Sequence, residues 1–174
     1  GKRFDEINFF IKKFNTKAIL IEPIQKNFLE LKKNYKNSKN VLFENSAITK
    51  KNDIIHLFKV KDYYLNRYGD HIKGLNSFEI NHLIKHGVKK NHIVKEKVST
   101  LTFKELFKKY NFKKLDLLFI DVEGYDADLV IDFLKLKKFR SIIIFEYIHV
   151  NNFKLKKLLN LFKKYNYYYF DINE

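Results

Sequence analysis

The sequence predicts an α/β domain in which a mostly parallel sheet is covered by helices on both faces. Short runs that are apolar throughout, such as "AILI", "LLFI" and "SIIIF", read as strands buried on both sides. Amphipathic stretches with apolar residues three and four apart alternate with them. Five acids, Glu22, Glu44, Asp121, Glu123 and Glu146, then fall at or just past strand ends, the edge at which open parallel sheets bind ligands. With 174 residues and neither linker nor internal repeat, one domain is expected.

Phe4, Ile7, Phe10, Ile11 and Phe14 share one helical face over residues 4–14, and "KAILIEP" follows as a strand that Pro23 stops. Phe28, Leu31 and Tyr35 stripe a second helix over 25–36, before the turn-like "KNSKN" and a strand "VLFENSA". "DIIHLFKV" (53–60) reads as another strand. Residues 61–90 are irregular, with Gly69, Gly74, Gly87 and four aromatic residues, and are read as an insertion over a site. "HIVKEKVS" (92–99) alternates like a half-buried strand. Thr102 and Glu105 then form a capping box for a helix faced by Phe103, Leu106, Phe107 and Tyr110. "LDLLFIDVEG" is a buried strand, two acids and a glycine turn. Asp126 and Asp128 suit the first turn of a helix running to about 137, where negative charge complements the helix dipole. "SIIIFEYIHV" is the next strand, Leu155, Leu158, Leu159, Phe162 and Tyr165 stripe a last helix, and "YYYFDI" reads as a terminal strand.

The formal charge of +15, from 35 Lys and Arg against 20 Asp and Glu, brings nucleic acid, an anionic membrane surface or an acidic substrate into consideration. Lysine is spread as doublets over nearly every helix and arginine is scarce. Phosphate and base readers concentrate arginine in patches, so the spread argues against a dedicated nucleic-acid site. The absence of cysteine excludes disulfides, thiolate metal sites and thiol nucleophiles. The longest apolar runs fall far short of the ~20 residues a spanning helix needs, and no signal peptide is visible, so the expected location is the cytoplasm with no membrane partner.

Glu22 stands where nucleoside-binding α/β folds place an acid that accepts hydrogen bonds from both ribose hydroxyls; a solvated loop acid is the alternative. In "DVEG", Asp121 and Glu123 fall on one side of an extended chain and Gly124 permits a tight turn. Such a pair can divide labour as base and hydrogen-bond acceptor, hold a divalent cation with other oxygens, or cap the next helix. His82 and His86 have the i,i+4 spacing of helical metal ligands, but the sequence supplies no third ligand and no metal is expected. His71 and His149 are better placed to act on a substrate proton, with surface histidines the plain alternative. GxGxxG, Walker and GxSxG motifs are absent.

With "ILIEP", "NFLELKKN", "ENSAI", "LNSF", "VSTLTF" and "LDLLFIDVEGYD" in this order, the chain resembles the FkbM-type S-adenosylmethionine-dependent methyltransferases from about residue 1 to 147. "IEP" and "DVEG" at this separation form a fairly specific pair. The resemblance implies a Rossmann-like class I methyltransferase fold that moves a methyl group from S-adenosylmethionine to a hydroxyl of a small acceptor, a sugar or secondary metabolite. On it, Glu22 and Pro23 match the ribose site, Asn45, Ser46 and Ala47 lie by the adenine, and Asp121 lies near the methionine moiety or the acceptor. Asp121, Glu123 or a histidine such as His149 would take the acceptor's proton. Family members start with a strand and a D-x-G-x-x-x-G loop that this chain lacks, so it resembles an N-terminally truncated member. Direct pairing of "AILIE" with "LDLLFID", or a strand recruited from another copy in a homo-oligomer, would close the sheet. A catalytically silent fragment and a basic RNA-holding module are the alternatives.

Overall fold

A computed structural model describes residues 6–148 and 150–171. Helix α1 (Glu6–Phe14), β1 (Ala18–Ile21), α2 (Gln25–Asn34) and β2 (Val41–Glu44) form the first unit. β3 (Ala47–Ile48) and β4 (Ile54–Val60) lead to a segment holding a 3-10 turn, α3 (Asp70–Lys73), β5 (Asn76–Ser77) and α4 (Ile80–Lys85). β6 (Ile93–Leu101), α5 (Phe103–Lys109), β7 (Leu117–Ile120), α6 (Asp126–Leu136), β8 (Ile142–Phe145) and α7 (Asn152–Lys164) complete it. Phe4 lies outside the described residues, and among those described no helix is long and apolar enough to cross a membrane.

The α/β composition expected from sequence is present, but the strands form three sheets instead of one. β1 pairs with β2 and β7 with β8, both parallel, while a mixed sheet has the order β3-β6-β4-β5. In it β3 and β6 are parallel and β4 runs antiparallel to β5 and β6. β4 and β6 keep solvated residues between buried ones such as Leu57, Val60 and Val98, a half-wet pattern that antiparallel sheets tolerate and doubly covered parallel sheets do not. Among the described residues β1 has no partner but β2, and β7 none but β8, so of the two ways of closing the sheet the direct pairing of β1 with β7 is not made.

"VLFENSA" is likewise two strands. The chain leaves β2 at Asn45, whose side-chain amide donates to the carbonyls of Glu22 and Pro23 at 2.9 and 3.2 Å, and it enters the mixed sheet at Ala47. "YYYFDI" forms no strand over its described residues, 167–171. Its alternation is spent on α7: Tyr167 and Tyr169 lie 6.1 Å from Phe162, and Tyr168 and Phe170 face solvent.

The main core joins α5, α6 and α7 to β7 and β8, with Val130 and Leu158 fully buried and a chain of ring contacts through Phe103, Phe107 and Phe133. The capping box is formed as expected: Glu105 N–H donates to Thr102 Oγ1, and Thr102 N–H donates to Glu105 Oε2. Residues 61–90 are more ordered than their composition suggests, because they have a core of their own in which Val60, Ile72, Leu75, Leu83, Val88 and Ile93 are buried. Tyr64 stacks on His92 at 3.8 Å, and the Tyr68 hydroxyl lies 2.6 Å from His92 Nδ1 while accepting from Lys89 N–H. Leu83, at 0% exposure, fixes α4 in this second core. Leu83→Ala is expected to cost about 2–5 kcal/mol, read as a lower urea midpoint at unchanged slope.

Candidate active site

The turn between β7 and α6 shapes the site. The sequence reads Asp121 to Glu123 as extended, yet Glu123 adopts φ +52° and Gly124 φ +97°, so the chain folds back before α6 begins. A glutamate in the left-handed region is held there against its own preference. The Asp126 carboxylate holds it: Oδ1 accepts from Val122 N–H at 3.2 Å and Oδ2 from Gly124 N–H at 3.1 Å. Asp126 is only 1% exposed, and burial pushes its carboxyl up while these backbone donors pull it down.

The fold-back separates the two acids of "DVEG". Asp121 is exposed, whereas Glu123 is half-buried, and its carboxyl is pushed up to about 7, first by burial and then by Asp121, Glu146 and Asp126. Opposite it stands α4, where His82 Nε2 lies 3.5 Å from Glu123 Oε2 and the His82 and His86 rings pack 4.7 Å apart. Between them opens a cavity of about 330 Å³ lined by Ser77, Glu79, His82, Lys85, His86 and Glu123. Phe78 meets Tyr125 at 4.7 Å and ties the two walls together.

A second acid stands just past the end of β1. Glu22 Oε1 accepts from Ile24 N–H at 2.8 Å, which turns the side chain back over the Pro23 turn. Burial raises its carboxyl, the Ile24 and Asn27 donors oppose this, and Glu96 adds repulsion. Its backbone N–H donates to the Glu44 carbonyl at 3.0 Å, which joins the ends of β1 and β2. Beside it Asn45 is half-buried, while Ser46 and Ala47 are buried and Ala47 packs with Ile24, Leu57 and Val98.

Of the acids expected to converge at the strand ends, Asp121 and Glu146 both act on Glu123, joined by Asp126. Glu44 points elsewhere: it is buried and accepts from Lys109 Nζ at 2.6 Å and the Tyr110 hydroxyl at 2.8 Å. Burial raises its carboxyl, but these bonds outweigh burial and leave it low, so Glu44 is a structural anion. His71 is exposed on α3 and does not line the cavity, and His149 lies outside the described residues. His82, read from sequence only as half of a metal-like spacing, is the histidine that reaches Glu123. Among the described residues no cluster of three His, Cys, Asp or Glu could hold a metal ion.

The sequence matches the methyltransferase FkbM domain over residues 1–169. The chain belongs to the FkbM methyltransferase family. No curated protein and no solved structure matches it.

Because folding raises Glu123 from an ordinary 4.5 to about 7, the folded chain binds this proton more tightly than the unfolded chain. Ionised Glu123 therefore costs stability; the penalty grows as pH rises past 4.5 and is complete above about 7. Glu123→Gln is expected to gain stability over the parent chain at about pH 8 relative to about pH 5, measured by urea unfolding at each pH.

Proposed function

We propose that this FkbM methyltransferase moves a methyl group from S-adenosylmethionine to a hydroxyl of a small acceptor, a sugar or secondary metabolite, within a Rossmann-like class I methyltransferase fold. One observation carries the reading: two acid-bearing turns, at Glu22 and Glu123, follow the carboxyl ends of strands in the two parallel pairs, and one of them faces a cavity of acceptor size.

The residues at the first turn fit a nucleoside. A carboxylate can accept hydrogen bonds from vicinal hydroxyls, and Ile24 N–H fixes its direction. Glu22 and Pro23 would hold the ribose, Asn45, Ser46 and Ala47 would flank the adenine, and Asp121 would stand by the methionine moiety. The sulfonium of S-adenosylmethionine supplies an activated methyl group. Methyl transfer is an in-line displacement, so the chain contributes chiefly by holding the acceptor hydroxyl in line, and the Tyr125–Phe78 contact keeps the acceptor wall at a fixed distance from the turn. Glu123, on the cavity wall, is the acid placed to receive the hydroxyl proton.

Calorimetric titration with S-adenosylmethionine tests this. Glu22→Ala is expected to weaken binding by about 1–3 kcal/mol, the cost of unmade charged hydrogen bonds. Equal affinity in the two proteins would remove Glu22 from the donor site, and no binding by the parent chain would remove the donor from the reading.

A further inference from the structure

The cavity has Glu123 on its turn side, and Glu79, His82, Lys85 and His86 on the side facing it. Asp121, Glu146 and Asp126 act electrostatically on Glu123, while His82 and Lys85 belong to α4, His86 is its C-cap and Glu79 its N-cap. His82 and Glu123 meet across this boundary, Nε2 to Oε2, at 3.5 Å. Both are shielded, the His82 side chain being 13% exposed and that of Glu123 30%. Leu83 anchors α4, the His86 ring packs on His82, and the Asp126 bonds fix the backbone on either side of Glu123.

We propose that His82 is the positioning residue for Glu123, so that the two share one proton and together receive the proton of an acceptor hydroxyl seated in the cavity. This rests on the methyl-transfer reading above. Partial burial, and then the acidic neighbours, push the Glu123 carboxyl up to about 7, so near neutrality a share of it keeps its proton and cannot act as a base. Passing that proton to His82 frees the carboxylate, and the resulting imidazolium steadies it in a poorly solvated setting. In the reaction the acceptor oxygen forms its bond to the methyl carbon as the carbon–sulfur bond breaks, with the electron pair left on sulfur. The hydroxyl proton passes to the Glu123 carboxylate. Proton exchange through His82 and the open cavity to water then resets the pair, so one proton is released for each methyl transferred.

The test is a pair of titrations followed by NMR, of the histidine Cε1–H signals and of carboxyl carbons in glutamate-labelled protein, in the parent chain, Glu123→Gln and His82→Gln. Two groups that share a proton titrate as a unit, with an interaction above about one pH unit. Glu123→Gln is therefore expected to lower the His82 midpoint by about one unit, and His82→Gln to raise the Glu123 midpoint by a similar amount. Affinity for S-adenosylmethionine, titrated calorimetrically, should stay at the parent value in both variants, because the pair lies on the acceptor side. Independent titrations overturn the proposal, whether or not the donor binds. A loss of donor affinity in His82→Gln overturns it as well, by placing His82 in the donor site. Glu123→Gln alone decides the matter through the His82 signal if His82→Gln does not fold.

Discussion

The Asp126 carboxylate sits at the first position of α6 and accepts from the N–H groups of Val122 and Gly124, closing the turn that the candidate site is built on. Burying a carboxylate is costly unless hydrogen bonds and a favourable field replace water. Here two backbone donors and the positive end of an eleven-residue helix do so. The same bonds keep Glu123 in the left-handed region, a conformation costing roughly 1–3 kcal/mol that persists only where surroundings impose it. Released from Asp126, the Glu123 carboxyl would have no reason to face α4.

The cavity lies where separately packed bodies meet. Tyr125 packs against the main core of α5, α6 and α7, and Phe78 packs against the smaller cluster of Ile24, Ala47, Leu57 and Val98. Their 4.7 Å contact bridges the two. α4 hangs from the third cluster through Leu83, so one wall of the cavity belongs to a body that the other wall does not touch through its core.

Local signals were legible in the sequence. The Thr102–Glu105 capping box, the apolar stripes of α5 and α7 and the strand "LLFI" each depend on residues within one turn or one run. Pairing was less so. The alternation in "HIVKEKVS" announces a half-solvated strand, but its antiparallel partner "DIIHLFKV" becomes visible only once both are placed side by side. At the site, Asp121 and Glu123 were evident as acids past a strand end, yet nothing in a glutamate forecasts a left-handed backbone; that comes from Asp126, whose sequence position suggests only a helix-dipole role. Glu44 reads as an edge acid because Lys109 and Tyr110, which claim it, lie 65 and 66 residues further on. His82 needs the same kind of long-range knowledge, since its partner arrives from another sheet.

The private core of residues 61–90 has an evolutionary consequence. Ile72, Leu75, Leu83 and Val88 hold the segment together from within, while Glu79, Lys85 and His86 on its outer side line the cavity. Mutations at the lining positions can alter what the cavity admits without loosening either that core or the packing of α6 on α7. The lining can thus vary in sequence while the turn between β7 and α6 keeps the hydrogen bonds that close it.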